Sequence, residues 1–198
     1  RKIKKFICFT TVLLYDENKM FFPVDETQEI NPYINDYVFS KYLSEEIVKY
    51  YGERIPSIIV RLSNIYGYTK LNRPDLVPTI MQDIFKKKEL KIWNDKPKRD
   101  FIFTEDAADA VLKLLDTDFT GIINIATGET TPISEITYII EKLSGKKIIS
   151  ENKPVSGPME LKMNISLLNK LTGWTPKHTL EEGLTKTYKI MKKYFEEK

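Results

Sequence analysis

Two kinds of hydrophobic pattern alternate along the chain. Lys5 to Thr11 is apolar on successive residues, and Ser57 to Leu62 (Ser-Ile-Ile-Val-Arg-Leu) repeats that pattern, so both read as strands covered on two faces, as in a parallel sheet. Between them Val38, Phe39, Tyr42, Leu43 and Ile47 recur at helical spacing, predicting a helix over Tyr37 to Tyr51 and hence one β-α-β unit. Gly121 to Ile125 predicts a further parallel strand, and Pro132 to Ser144 a helix after it. Past Tyr66-Gly67 the pattern changes: Asn72 to Asp75 is polar with a proline, and a helix over about Val77 to Lys88 marks departure into a second lobe. A short strand over Leu90 to Trp93, a turn over Asn94 to Lys98 and an extended segment from Arg99 to Phe103 follow. Thr104, with Glu105 and Asp106, is expected to cap a helix running to about Leu115. The tail from Ile148 predicts a strand, a loop with Pro154 and Gly157-Pro158, a small helix near Ser166 to Thr172 and an amphipathic helix from about Leu180.

Composition narrows the classes. The 198 residues carry 31 basic and 28 acidic side chains for a net charge of +3, interspersed along the chain, too balanced for a nucleic-acid or anionic-membrane partner. The longest apolar run, Phe6 to Tyr15, is too short to span a bilayer, and no secretory pattern precedes it. One cysteine, Cys8, reads as a small core residue in a reducing, cytoplasmic setting. The single histidine, His178, stands before the capping-box sequence Thr179-Leu-Glu-Glu182 and reads as a surface residue; one His and one Cys leave no ligand set for a transition metal.

Chemistry gathers where the predicted strands end. Parallel sheets bind ligands at the carboxyl ends of their strands, which here carry Thr10-Thr11 and Ser63-Asn64. Asn31-Pro32 closes a loop ahead of the first helix, whose Tyr37 and Lys41 stand one turn apart; an ammonium beside a phenol favours phenolate and suits it to proton transfer. A Tyr four residues before a Lys also occurs at Tyr15/Lys19, Tyr66/Lys70 and Tyr138/Lys142, so the setting singles out Tyr37.

In that order, an apolar strand ending in hydroxyls, a loop, Asn-Pro, then Tyr37 with Ser40-Lys41 and a second strand resemble the extended short-chain dehydrogenase/reductases. The likeness is to their NAD-dependent epimerase/dehydratase branch, which acts on nucleotide-sugars and includes UDP-glucose 4-epimerase. The resemblance implies an α/β fold: the C-terminal part of a Rossmann-type parallel sheet (residues 1–67, with 101–128 returning to it) plus a small α+β substrate-binding lobe (68–100 and 129–198). The family's glycine fingerprint, which brings backbone amides close to a dinucleotide pyrophosphate, is absent from these 198 residues; it would precede Arg1, and the chain reads as opening in the middle of a fold.

By the same resemblance Thr11, Tyr37 and Lys41 form the catalytic set, Thr11 standing four residues before Tyr15 as in the family's Ser/Thr-x-x-x-Tyr turn. Thr10, Tyr37, Lys41, Leu62 and Ile65 would meet the cofactor, NAD with NADP as the alternative. Arg61-Leu-Ser-Asn64-Ile-Tyr-Gly67 resembles the family's Arg-x-x-Asn-x-x-Gly run, making Asn64 a substrate contact and Arg61 a structural ion-pair residue. Leu76 matches a backbone contact to the nucleotide; Trp93 and Arg99 match positions that cover the nucleobase and clamp the diphosphate, across a shortened Asn-Asp-Lys-Pro turn. The family's second phosphate arginine is missing, and Lys153 or Lys162 would replace it. Each residue also has a bland role to weigh: Thr11 as a strand-end cap, Tyr37 as a packed aromatic, Lys41 as a solvated helix face and Asn64 as a turn-capping amide.

Val12 and Leu13 bear on the reaction. The family's dehydratases place Asp and Glu there, the decarboxylases a Glu at the second position and the GDP-fucose-making epimerase-reductases a Cys. Apolar side chains transfer no protons, so the resemblance favours epimerisation at sugar C4 by hydride removal and return, on a UDP-sugar, in an enzyme that dimerises through a four-helix contact. The alternatives are NAD(P)H-dependent reduction of a 4-keto nucleotide-sugar and a non-catalytic remnant that binds nucleotide-sugar.

Overall fold

The structure, a computed structural model, describes residues 3–70, 75–155 and 157–197. Its first half comprises β1 (Phe6–Thr11), α1 (Asp36–Tyr51), β2 (Ser57–Leu62), β3 (Asn64–Tyr66), α2 (Leu76–Lys86), β4 (Leu90–Ile92), β5 (Lys98–Arg99) and β6 (Phe101–Phe103). Then come α3 (Thr104–Leu115), β7 (Gly121–Ile125), β8 (Thr131–Pro132), α4 (Ile133–Ser144), β9 (Ile148–Ser150), β10 (Glu160–Leu161), α5 (Ser166–Thr172) and α6 (Leu180–Glu196). No helix among the described residues is long and apolar enough to cross a membrane.

The α/β architecture follows the hydrophobic pattern. β1, β2 and β7 form a parallel sheet in the order β1-β2-β7, with Thr11 level with Leu62 and Leu62 level with Ile125, so the strand ends line up at one edge. Alternation sends Ile58 and Val60 to the face that packs on α3, α5 and Trp174, and turns Arg61 toward α1. β1 forms one side of the sheet, and Phe6 and Phe9 on it stay 44% and 48% exposed. A second apolar cluster joins α2, β4, α4 and α6 through Met81, Ile92, Ile140 and Leu184, and touches the sheet side through Tyr66 and Phe103. α5, inside the tail that the sequence assigns to the second lobe, lies on the sheet instead. Gly67 links the two units; its φ is +155°, and a Cβ there would stand 2.5 Å from Thr104 Cγ2, so no other residue fits without a shift.

Buried polar groups tie α1 to the sheet. Glu45 falls on the covered stripe Val38–Glu45–Val48, and its carboxylate takes two bonds from Arg61, Nε to Oε1 at 3.0 Å and Nη2 to Oε2 at 2.8 Å, plus the Thr10 hydroxyl at 2.8 Å. Burial works against the Arg61 charge, but the Glu45 bonds and the nearby Tyr15 hold the guanidinium above its ordinary pKa. The guanidinium also lies 4.8 Å from the Tyr15 ring centroid, and the Tyr15 hydroxyl donates to Asn124 Oδ1 on β7 at 2.8 Å. The expected structural ion pair of Arg61 is therefore found, with Glu45 as its partner.

Asp100 forms a second strut. The extended segment expected from Arg99 to Phe103 breaks at this residue, β5 pairing with β8 and β10 and β6 pairing with β3. The Asp100 carboxylate accepts from the Thr127 N–H, the Thr127 hydroxyl and the Gly128 N–H, each at 2.8 Å, while its carbonyl accepts from Ser63 Oγ at 2.7 Å and Asn64 Nδ2 at 3.1 Å. Burial raises its pKa to about 6 against the pull of those donors.

Three expectations change. Thr104 is the first helical residue of α3, with Phe103 in the cap position, because β6 runs directly into the helix. His178 is not a surface residue: its ring, 18% exposed, bonds Asp106 through Nδ1 at 2.9 Å and has Lys186 Nζ 2.9 Å from Nε2, although the Thr179–Glu182 capping box beside it forms as expected. Cys8 is only partly buried, on the outer strand of the sheet. Asn72, Arg73 and Pro74 of the expected polar turn lie outside the described residues.

Two outcomes are expected. Glu45→Ala leaves the Arg61 charge buried without a partner and costs about 3–5 kcal/mol in urea unfolding, and adding Arg61→Met recovers most of that loss. Asp100 binds its proton more tightly in the folded than in the unfolded chain, so its contribution to stability is greatest below about pH 4 and falls as pH rises from 3.8 toward 6. A carbon-detected NMR titration of its carboxyl should give a midpoint above 5; a midpoint below 4 would contradict the burial argument.

Candidate active site

The end of α1 that meets the sheet edge is set by its cap. Asn35 Oδ1 accepts the Val38 N–H at 2.9 Å, starting the helix so that Tyr37 and Lys41 fall on one row, two turns and one turn ahead of the pinned Glu45. Lys41 Nζ lies 5.8 Å from the Tyr37 ring centroid and donates to the Phe9 carbonyl at 3.2 Å, while the Tyr37 ring is half exposed. Both side chains line a cleft of about 860 Å³ with Thr10, Thr11, Leu62, Asn64, Ile65, Leu76 and Arg99. Nine residues singled out in the sequence thus meet around one space, and Ser63, Leu13, Phe101 and Ile133 are among the others that wall it.

Hydrogen bonding decides what each offers. Thr11 Oγ accepts the Leu13 N–H at 3.2 Å and caps the 3-10 turn Val12–Leu14; its own hydroxyl hydrogen meets no acceptor among the described residues and is free to donate. The Thr10 hydroxyl is committed to Glu45. Asn64 donates through both its backbone and its side-chain nitrogen to the Asp100 carbonyl, so the turn-capping role exists, yet Oδ1 meets no donor among the described residues. Tyr37 is not a packed aromatic, and Lys41 is not a merely solvated face. Both Val12 and Leu13 border the cleft, Val12 only 2% exposed and packed in a small core, Leu13 44% exposed.

Arg99 stands on the far wall. Burial lowers its pKa, Glu17 nearby pulls the other way, and its one side-chain bond among the described residues goes to the Lys98 carbonyl at 2.8 Å. A half-buried guanidinium without a bound carboxylate is suited to an incoming anion. Beyond Leu76 the cleft adjoins a groove walled by Ile80, Asp83, Leu90 and Trp93. The Trp93 indole donates to the Pro154 carbonyl at 2.7 Å, and Lys153 Nζ lies 4.7 Å from its ring centroid.

Neither lysine expected at the phosphates lines the cleft. Lys153 pairs with Glu151 at 2.7 Å and covers Trp93; Lys162 pairs with Glu129 at 3.2 Å beside β10. Glu151 stands two residues before Lys153 in sequence, whereas Glu129 is distant from Lys162. Asp100 and Glu45, which shape the cleft without lining it, passed unnoticed in the sequence, although the spacing Val38–Glu45–Val48 would have exposed Glu45 as a charge on a buried stripe.

The comparisons with known proteins agree with this geometry. The GDP-L-fucose synthase of Sinorhizobium fredii is 33% identical over 153 residues, covering 71% of this chain and 48% of the relative. The UDP-glucuronate 4-epimerase of Thermodesulfobacterium geofontis is 29% identical over 204 residues, covering 98% and 61%. Among solved structures, that of UDP-glucuronic acid 4-epimerase from Bacillus cereus, in complex with UDP-glucuronic acid and NAD, superposes with a TM-score of 0.85 at 26% identity, covering 98% of this chain and 63% of that one. The chain spans 42% to 61% of the length of the curated relatives it matches. The family model described as "NAD dependent epimerase/dehydratase family" matches residues 1–126, close to two thirds of the sequence and all of the strand-end constellation. The chain belongs to the NAD dependent epimerase/dehydratase family.

Proposed function

We propose that the residues of this cleft carry out epimerisation at C4 of a nucleotide-sugar, a UDP-sugar first, with Tyr37 as the proton-transfer group. The observation that carries the proposal is the convergence of Thr11, Tyr37, Lys41 and Asn64 on one cleft at the carboxyl ends of β1 and β2. Tyr37 takes the proton from the C4 hydroxyl and gives it back; Thr11 donates its unused hydroxyl hydrogen to the same oxygen; the Lys41 ammonium stands one turn along the helix beside the Tyr37 ring. Asn64 Oδ1 accepts from a sugar hydroxyl, and Arg99 clamps the diphosphate, with Leu76 and Trp93 along the nucleotide. A bound nicotinamide supplies the acceptor and donor of hydride, chemistry that belongs to the cofactor.

The residues fit one end of such a cofactor. Lys41 is positioned for a ribose hydroxyl, and Thr10, Leu62 and Ile65 give the cleft a surface for the nicotinamide. A glycine-rich turn for the pyrophosphate is not among the 198 residues. In the same proposal, residues 1–67 and 101–128 serve the cofactor side and 68–100 with 129–198 the sugar-nucleotide side, α5 being carried on the sheet. Two copies would pair through the exposed α1 positions Phe39, Leu43 and Ile47.

Reduction of a 4-keto sugar is the second reading, favoured by the likeness to GDP-L-fucose synthase; Leu13 at the cleft wall offers no proton for the carbon chemistry of a dehydratase in either case. In full-length protein Tyr37→Phe should lower kcat by about 10²-fold or more with KM nearly unchanged, whereas Arg99→Ala should raise KM first. Near-normal kcat in Tyr37→Phe would remove the assignment. Incubation with NAD and UDP-hexoses, and separately with NAD(P)H and 4-keto-6-deoxy nucleotide-sugars, separates the two readings by which pair reacts. A 4-keto-6-deoxy product from a plain hexose would contradict both.

A further inference from the structure

Asp100 is fully buried, yet its bonds run to two strand ends at the cleft. From the end of β2, Ser63 Oγ at 2.7 Å, the Asn64 N–H at 3.2 Å and Asn64 Nδ2 at 3.1 Å all donate to its carbonyl. From the turn after β7, the Thr127 N–H, the Thr127 hydroxyl and the Gly128 N–H donate to its carboxylate. Its own chain changes sheets here: Arg99 before it pairs with Thr131, and Phe101 after it pairs with Asn64. Both Asn64 nitrogens are thereby committed, and Oδ1 is what the side chain has left for the cleft. Three donors and no acceptor meet the carboxylate oxygens among the described residues, which suits an anion; a carboxyl O–H would set a donor against one of them. The Thr127 hydroxyl has an alternative acceptor, the Glu129 carbonyl at 3.2 Å. The Glu129 carboxylate acts on Asp100 against its ionisation and is itself paired with Lys162 at 3.2 Å. The end of β2 presents to Asp100 the neutral Ser63 and Asn64, and Arg99 directs its guanidinium to the Lys98 carbonyl.

Resting on the proposed function, we infer that Asp100 is a positioning residue whose ionisation controls how tightly the cleft holds its nucleotide-sugar. Ionised, it fixes the Thr127–Gly128 turn, and through its backbone it holds Asn64 and Arg99 on their wall. Protonated, it loses the match to one of its three donors, the Thr127 hydroxyl turns to Glu129, and the backbone that carries Arg99 and supports Asn64 loses its anchor beyond β7. Both residues belong to substrate binding in the proposed function, Asn64 at a sugar hydroxyl and Arg99 at the diphosphate. Tyr37, Thr11 and Lys41 stand on α1 and β1, which Glu45 holds independently of Asp100. Acid therefore weakens binding and leaves the proton-transfer group in place. Burial raises the Asp100 pKa to about 6, which brings both forms within the working range. Ionisation thus costs the fold stability, and the charge at neutral pH serves the geometry of the cleft. The diphosphate of a nucleotide-sugar keeps its charge over the same range, so the ligand's own titration does not produce the effect.

The test uses full-length protein and has a ligand-free arm and a binding arm. Without ligand, the NMR signals of the Asn64 side-chain amide should move with pH at the same midpoint as the Asp100 carboxyl. With NAD added, calorimetry should show UDP-glucose bound about tenfold more weakly at about pH 5 than at about pH 7.5, the loss expected for one misplaced hydrogen bond. At the higher pH, Asp100→Asn should raise KM about tenfold with kcat within about threefold of the parent, and its binding should no longer vary over this range. Should that variant not fold, the parent's binding profile and the Asn64 signals decide. Asn64 signals indifferent to the Asp100 titration, binding indifferent to pH, or a pH dependence that persists in Asp100→Asn would each overturn the inference. Coupled Asn64 and Asp100 signals in a protein that binds no nucleotide-sugar would uphold the positioning of Asn64 and refute the proposed function. Conversion of the sugar with binding indifferent to pH would uphold that function and refute the role of Asp100.

Discussion

The Arg61–Glu45 pair is the constraint on which the cleft depends. A buried ion pair adds little net stability, because both charges leave water, but it fixes geometry: a bidentate guanidinium on β2 accepts a carboxylate from one rotation of α1 and no other. Two turns earlier on that helix stands Tyr37, one turn earlier Lys41. The Thr10 bond to the same carboxylate adds the end of β1 to the strut, so the strand that delivers Thr11 and the helix that delivers the phenol are held by one group. Arg61 is also the first residue of the run that ends in Asn64 and Gly67, which places the strut and the far wall of the cleft on the same strand end.

Asp100 does for the opposite wall what Glu45 does for α1. Its carbonyl holds Ser63 and Asn64, and its carboxylate holds the turn at Thr127 and Gly128, so the ends of β2 and β7 and the start of β6 close on one residue. Arg99, its neighbour in sequence, is thereby aimed into the cleft as the chain switches from one small sheet to another. Rigid supports of this kind leave the cleft's own side chains with capacity to spare among the described residues: the Thr11 hydroxyl hydrogen, Asn64 Oδ1 and the Arg99 guanidinium beyond its one bond to the Lys98 carbonyl.

Much of this was legible in the sequence, for a local reason. β1, β2 and β7 announce themselves by apolar runs, and α1 by its spacing, so the order strand, Asn-Pro, Tyr37-x-x-Ser40-Lys41, strand, Asn64 is sufficient to bring Thr10, Thr11, Tyr37, Lys41, Leu62, Asn64 and Ile65 to one sheet edge, which Leu76 and Arg99 face from outside that unit. What escaped depends on partners distant in sequence. Glu45 looks like one of many helix glutamates until Arg61 is seen opposite it, and His178 looks exposed beside its capping box until Asp106, on α3, is found under its ring. Lys162 fails for the same reason, its acid Glu129 being distant in sequence, whereas Lys153 is held by Glu151 only two residues before it, a partner within local view.

The central claim, that Tyr37 and its neighbours serve reversible oxidation at sugar C4, is tested most directly with a UDP-hexose carrying deuterium at C4. Full-length protein with NAD should yield the C4 epimer with the label retained at C4 by NMR, because hydride leaves and returns without contact with water. Loss of the label to solvent during epimerisation, or an unchanged sugar after many equivalents of enzyme time, would contradict the account.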